Sequence, residues 1–391
     1  MDFDPKERLG EKIRCAAGSD EPYWALVPRA LPPPGLRMDD LQSLVEKASQ
    51  SLGRLDGLAT ALPDTQLFLY MYVRKEAVLS SQIEGTQSSL FDLLLYESAE
   101  APGVPLDDVQ EVSNYVAAMN HGLKRLRDGF PMSMRLIKEI HEVLMTGARG
   151  GTKAPGEFRR TQNWVGGTRP GNATYVPPPP DRVVGCMSDL EKYLHAKDDK
   201  LPRLIRAGLV HHQFETVHPF LDGNGRLGRL LITLLLCTEG VLSEPILYLS
   251  LYFKTHREEY YAQLQHVRQT GDWESWLKFF LVGLHEIALQ ATEAAREILG
   301  LIQTDRLKIA EIGRGAGSAL QTHQYLEKKP LAVIPEMVKA LNLTTPTVTA
   351  ALQNLESIGI VREITGKQRG RIFAYGAYLK ILERGTEPFR R

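Results

Sequence analysis

The chain has 391 residues and a mass of 43.8 kDa, which at roughly 150 residues per domain suggests two or three domains. A composition of 43% hydrophobic and 24% charged residues is that of a globular protein and excludes wholesale disorder. Lysine plus arginine equals aspartate plus glutamate, 47 against 47, which excludes a chain-wide basic field for nucleic acid and an acidic solvating tail.

The N-terminal stretch MDFDPKERLG lacks the apolar run of a signal peptide. Up to Leu36 the chain is rich in proline and charge, with Pro32, Pro33 and Pro34 consecutive, and is expected to be an extended leader lying on the rest of the protein. From Asp39 apolar residues recur three and four apart, predicting helices over Leu41 to Leu52, Thr65 to Ile83, Leu106 to Leu126 and Met134 to Met145. Between Gly156 and Pro180, two β-prone pieces, Gln162 to Val165 and Ala173 to Val176, flank a glycine- and proline-rich turn. That pattern predicts a protruding hairpin. Helical texture resumes at Arg182 and runs to about Leu301, then weakens from Asp305 to Lys329.

A second unit follows. Ile334 to Leu341 and Thr345 to Ile358 read as helices separated at Asn342, and Ile360 to Tyr375 as a strand pair around Gly366 to Gly370, the outline of a winged helix-turn-helix. The fold class is therefore mainly α, a helical core with a β-hairpin and a small C-terminal winged helix, divided as 1–110, 111–300 and 301–391. Cys15, Cys186 and Cys237 are too far apart for finger spacing, which argues against a disulfide framework or a cysteine–zinc site. The strongly apolar run Leu230 to Cys237 is far short of the ~20 residues that span a bilayer. A cytoplasmic protein without membrane contact is expected.

The most informative stretch is His218 to Arg229, HPFLDGNGRLGR. A glycine-rich turn opening into a helix aims free backbone N–H groups and the positive end of the helix dipole at one point, an anion site. Arg226 and Arg229 add forked donors for phosphate, Asp222 is a hard-oxygen ligand for Mg²⁺, and His218 is able to take a proton at neutral pH. Together they point to nucleotidyl or phosphoryl transfer. Three other readings stand beside it. Gly223, Gly225 and Gly228 match a dinucleotide fingerprint, but Leu204 to Val217 before them is helical in pattern where that fingerprint needs a strand. Glu215 and His218 form one Glu-x-x-His half-site of a carboxylate metal centre that lacks its second half. The third reading is a helix-capping turn with incidental glycines.

HPFLDGNGRLGR resembles the Fic family motif His-x-Phe-x-Asp/Glu-Gly-Asn-Gly-Arg-x-x-Arg at every defined position. The resemblance extends over roughly Leu41 to Leu301 and, with the hairpin and winged helix, is closest to the SoFic type. It implies a protein adenylyltransferase. His218 would deprotonate a target Ser, Thr or Tyr hydroxyl that attacks the α-phosphate of ATP, and Asp222 would hold Mg²⁺. Gly223, Asn224 and Gly225 would form the anion hole within a nucleotide-binding run continued by Arg226, Leu227, Gly228 and Arg229, the arginines on the distal phosphates. Phe220 would anchor the loop, the hairpin would be the flap that aligns the target, and Tyr260, beside Tyr261, falls where the family packs adenine. Some members contact adenosine with an asparagine where this chain has Arg268.

Ser80, Glu84 and Gly85 match the family's inhibitory motif Ser/Thr-x-x-x-Glu-Gly/Asn, which implies that Glu84 pairs with Arg229 and excludes the γ-phosphate. In some members that glutamate also supports removal of AMP. From the residues alone, Glu84 is equally readable as a solvated side chain or one paired with Arg74 or Lys75. The resemblance thus assigns 1–110 to an N-terminal region with an inhibitory helix, 111–300 to the catalytic core and 301–391 to a linker and winged helix. Implied partners are ATP, a target protein including the chain itself, and a second copy in a homodimer. DNA is a further candidate through wing residues Lys367, Arg369 and Arg371, although TTPTVTAALQNLESIG carries no lysine or arginine. The alternative function is a DNA-binding regulator whose core senses nucleotide without turnover.

Overall fold

The computed structural model describes residues 5–16, 21–60, 66–97, 106–147, 153–196, 200–368 and 370–388. Thr65 and Arg369 lie outside these. The leader is extended and lies on the core as expected, but part of it pairs with itself. Glu11–Cys15 (β1) and Tyr23–Val27 (β2) pair antiparallel, from Glu11 opposite Val27 to Cys15 opposite Tyr23. Each strand has only five residues, too few for an alternation to stand out from charge and proline. The leader is pinned by Arg8, whose guanidinium reaches Glu274 at 2.6 and 3.0 Å and the carbonyl oxygens of Pro34 and Gly35.

Helices follow as their apolar spacing dictates. Asp39–Thr60 (α1) buries Leu41, Ala48, Leu52 and Leu55 along one stripe and packs on the long helix α11, Trp273–Ala310. Between them come Gln66–Ile83 (α2), Leu90–Glu97 (α3), Leu106–Arg127 (α4), Met134–Met145 (α5), Pro180–His195 (α6), Arg203–Val217 (α7), Asn224–Thr238 (α8), Ser250–Thr255 (α9) and Arg257–Thr270 (α10). Ser133 starts α5 by accepting the Leu136 N–H at 3.3 Å, and Asp272 starts α11 by accepting that of Ser275 at 3.1 Å. Every side chain of α7 from Leu204 to Val217 is buried, and α8 is buried from Arg226 to Leu236, so these two helices form the centre of the core. Among the described residues no helix is long and apolar enough to cross a membrane.

The hairpin predicted over 162–176 exists in minimal form. One antiparallel bridge joins Val165 to Tyr175 around a 3₁₀ turn at Pro170–Asn172, and β2 adds to it through Leu26 N–H to Val176 O at 3.0 Å.

Past residue 300 the helical pattern is stronger than the sequence suggested. Helix α11 continues to Ala310, and Ala316–Lys328 (α12) follows after a break containing Gly313 and Gly315. Then come Leu331–Val333 (β3), Ile334–Leu341 (α13), Thr345–Ser357 (α14), Arg362–Glu363 (β4), Ile372–Ala374 (β5) and Gly376–Leu382 (α15), with the strands ordered β3-β5-β4. Helix α13 ends at Asn342 in the left-handed region, φ 52°, a conformation asparagine tolerates, and Thr344 caps α14. The tail returns to the core: Lys254 Nζ donates to the carbonyl oxygens of Gly385 and Glu387, and the Gln82 amide donates to that of Thr386 at 2.8 Å.

Tight packing of α11 on α9 depends on Gly283, where an added Cβ would stand 2.5 Å from the Tyr252 ring. Gly283→Ala is expected to destabilise the protein by about 1–2 kcal/mol after the gain in helix propensity is set against overpacking, read as a lower thermal unfolding midpoint.

Candidate active site

Helix α7 stops at Val217 because His218 turns into the left-handed region, φ 48° and ψ 58°, while its N–H still bonds Phe214 O at 2.9 Å. A non-glycine residue is strained there and must be held by its surroundings. Arg159 Nε donates to His218 O at 2.9 Å, and Asn163 donates to the carbonyl oxygens of His218 and Phe220 at 3.4 and 2.8 Å. Phe220 is fully buried and stacks on His141 at 3.7 Å between ring centres. Burial, with the positive charges of Arg268 and Arg159, lowers His218 to about 4. The imidazole is therefore neutral at pH 7 and able to accept a proton.

The loop is stiffened from within. Asn224 spends its side chain on Phe220, accepting its N–H at 2.9 Å and donating to its O at 2.8 Å. Gly223, at φ 75°, supplies the turn that opens α8 with its first N–H groups unsatisfied by the helix. Leu227 is buried core, and Gly228 faces Glu215. His141 Nδ1 accepts the Gly156 N–H at 2.9 Å, so its Nε2 donates to Asp222 O at 3.0 Å.

Asp222 projects its carboxylate into the cleft. Burial raises its carboxyl, but bonds from Lys153 and the Gly223 N–H outweigh that and hold it below the usual aspartate range. Lys153 Nζ lies 2.9 Å from Oδ2, so a cation already stands at this oxygen. Among the described residues no three His, Cys, Asp or Glu side chains group as a metal cage. A lone ionised carboxylate beside an anion site still fits Mg²⁺, which takes one or two protein carboxylates together with substrate phosphates.

The two arginines differ in their commitments. Arg229 is 2% exposed and gives Nε to Ser80 Oγ at 2.9 Å and Nη2 to Ser80 O at 2.9 Å and Glu84 Oε1 at 2.7 Å. Arg226 faces Glu111 at 3.4 Å and Asp222 at 3.8 Å. Glu84 follows the last residue of α2, and Gly85 turns the chain at φ 104°. A Cβ on Gly225 would overlap Glu84 Oε1, so this carboxylate sits on the opening turn of α8 itself, where an anion is attracted. Neither Arg74 nor Lys75 pairs with it: Arg74 binds Glu97 at 2.8 Å, and Lys75 is buried over the Tyr248 ring. Burial raises the Glu84 carboxyl, but the charge and hydrogen bond of Arg229 outweigh this and hold it below the usual 4.5.

Glu84, His218, Asp222 and the Gly223–Arg226 turn line one cleft of about 670 Å³ together with Val165 and Tyr175 of the hairpin and with Tyr260, Tyr261 and Arg268. Tyr260 is the buried member of its pair, at 1% exposure with its hydroxyl on His211, while Tyr261 keeps 37% of its surface exposed. Arg268 stacks over Tyr175 and donates to Glu215 O at 2.9 Å. The segment before the glycines is helix α7, which removes the dinucleotide-fold reading.

Comparison with known proteins gives the same family. The Fic/DOC family N-terminal model matches residues 42–124, and the Fic/DOC family model matches residues 131–236, which contain the whole of HPFLDGNGRLGR. The chain carries a Fic/DOC family N-terminal region and a Fic/DOC family domain. It is 28% identical over 309 residues to the protein adenylyltransferase Fic of Aedes aegypti, covering 72% of this chain and 58% of that protein. It is 33% identical over 205 residues to that of Culex quinquefasciatus, covering 50% and 37%. The chain thus spans about half the length of the curated relatives it matches. Among solved structures, a Fic family protein from Desulfovibrio desulfuricans shares the fold with a TM-score of 0.57 at 21% identity, covering 88% of this chain and 98% of that one.

The Fic motif alone did not reveal Arg159, Asn163, His141, Lys153 and Glu111, which shape or face the loop from 57 to 115 residues earlier in the chain. Isolated polar residues carry no spacing signal. Glu215 was visible only as half of a metal motif that lacks its second half in this sequence.

The Glu84–Arg229 pair has a definite pH dependence. A folded-state carboxyl held below its unfolded value contributes stability above the unfolded pKa and loses it as pH falls through the folded one. The stability gap between wild type and Glu84→Gln is expected to stay constant from pH 8 down to about 5.5 and to shrink in more acid solution, measured by denaturant unfolding at each pH.

Proposed function

We propose that this Fic-family chain is a protein adenylyltransferase that moves AMP from ATP onto a Ser, Thr or Tyr hydroxyl of a target protein, itself included, and that Glu84 holds it inactive. The observation that carries this reading is a buried, neutral imidazole on a pinned backbone, in one cleft with a helix-opening anion site whose occupant is the chain's own carboxylate. His218 takes the hydroxyl proton, the oxygen attacks the α-phosphorus, the bond from that phosphorus to the bridging oxygen breaks, and pyrophosphate leaves. The N–H groups of Asn224 and Gly225, and that of Gly223 once Asp222 Oδ1 releases it, serve the charge that builds on the phosphate oxygens. Arg226 and Arg229 serve the distal phosphates once Glu111 and Glu84 yield them. Asp222 would hold Mg²⁺, which supplies neutralisation of phosphate charge there. The tyrosine pair supplies the apolar wall for the base, with Tyr261 presenting the more open ring. The hairpin supports the target backbone by strand addition at Val165 and Tyr175.

Glu84 blocks this arrangement twice over: it occupies the helix opening and it ties up Arg229. Glu84→Gly is expected to raise incorporation of label from [α-³²P]ATP by an order of magnitude or more, and His218→Ala in that background to abolish it. Label that enters from the γ-position would instead point to phosphate transfer, and equal incorporation with and without Glu84 would remove the brake.

We infer that the C-terminal unit of α12 to α15 makes protein contacts rather than reading DNA. The exposed face of α14 carries threonines and no cation, and the tail beyond α15 is already bonded to α2 and α9. The full chain is expected to leave a duplex DNA probe unshifted at 50–150 mM salt; a salt-dependent shift lost on truncation after residue 330 would reverse this assignment.

A further inference from the structure

Between the anion site and the tyrosine pair, the cleft wall holds a carboxylate that none of the roles above uses. Glu215, on the last turn of α7, is 6% exposed, and its Oε1 has no hydrogen-bond partner. Its place along the cleft follows from its contacts. A Cβ on Gly228 would overlap Oε1, so the carboxylate lies against α8 about one turn beyond Gly225, the glycine that Glu84 covers. From the same turn the path to the tyrosines is short: His211 Nδ1 donates to Gly228 O at 3.0 Å, and its Nε2 accepts the Tyr260 hydroxyl at 2.9 Å. On the other side, Oε2 is 4.0 Å from His218 Nδ1. The carboxylate therefore stands after the phosphate end and before the aromatic end.

The charged groups packed around it are engaged elsewhere. Arg229 on α8 is spent on Ser80 and Glu84, and Arg268 on α10 reaches the Glu215 carbonyl oxygen and Thr216 Oγ1 rather than the carboxylate. Burial pushes the Glu215 carboxyl up to about 7, against the pull of Arg229. A buried acceptor left unpaired is costly, and a site that retains one has its partner supplied by a ligand or by water.

In a nucleoside triphosphate, what lies between phosphates and base is the sugar, and a ribose offers two vicinal hydroxyl donors. We propose that Glu215 accepts a hydrogen bond from a ribose hydroxyl of the bound nucleotide and makes the cleft selective for the intact ribose. This rests on the nucleotide-binding reading above. A site built to hydrogen-bond a substrate hydroxyl discriminates strongly against the analogue lacking it, because the buried partner is then left unpaired. Gly228 belongs to the device, since a side chain there would displace the carboxylate.

The test is titration calorimetry on the full chain carrying Glu84→Gly, with ATP, 2′-deoxyATP and 3′-deoxyATP in the presence of Mg²⁺. At least one deoxy analogue is expected to bind about ten-fold or more weakly than ATP. In the Glu84→Gly, Glu215→Leu chain, which lacks the acceptor, that penalty is expected to fall within two-fold. Equal binding of all three nucleotides by the Glu215-containing chain overturns the assignment with no substitution at 215 and hence no question of folding. A penalty that survives Glu215→Leu at full size also overturns it, placing sugar recognition on another residue. Failure of ATP itself to bind would instead bring down the nucleotide reading on which the proposal stands.

Discussion

A guanidinium with almost no access to water must have its donors satisfied by something, and in this protein that something decides the state of the site. Arg229 lies in the first turns of a helix buried on nearly every side. Burial alone would disfavour its charge, but Glu84 more than offsets this and keeps it firmly protonated. Two further bonds go to Ser80, so part of the shell survives even when the carboxylate leaves. The pairing is asymmetric. The Arg229 side chain is 1% exposed and Glu84 38%, so the carboxylate is the solvent-accessible partner and the guanidinium the enclosed one. A ligand that brings its own negative oxygens competes for a preformed cationic site.

The same economy shapes the loop between α7 and α8. A left-handed histidine, a left-handed glycine and the free N–H groups of a helix start would be a poorly defined region in isolation. Here each neighbouring carbonyl oxygen has a donor: those of His218 and Phe220 from Arg159, Asn163 and Asn224, and that of Asp222 from His141. The aromatic anchor Phe220 sits under the turn and couples it to α5 through His141. Bonds of this kind fix the backbone of the turn, so that His218 and the opening residues of α8 line the cleft together.

The C-terminal unit is tied into this arrangement. Its tail bonds the Gln82 side chain two residues before Glu84, and Lys254 clasps the same tail from α9. The helix that leads into Glu84 is therefore packed between the core and the tail, and Gln82, Ser80 and Ser81 are all fully buried at its end.

What the sequence determined by itself is local or strongly periodic. The helices over Leu106 to Leu126, Met134 to Met145 and Ile334 to Leu341 follow from apolar spacing. The anion-binding turn at 218–229 follows from glycines placed ahead of a helix, and the family follows from that motif. What only the tertiary structure decided is non-local. Two five-residue strands at the N-terminus have no period long enough to read, and they exist because they pair with each other and with the hairpin. Glu84 was readable as a solvated side chain or as a partner of Arg229 until the fold carried it across 145 residues to that guanidinium. Lys153, Arg159 and Glu215 are single charges whose meaning lies in what they face, and sequence encodes adjacency along the chain, whereas these interactions depend on distance in space.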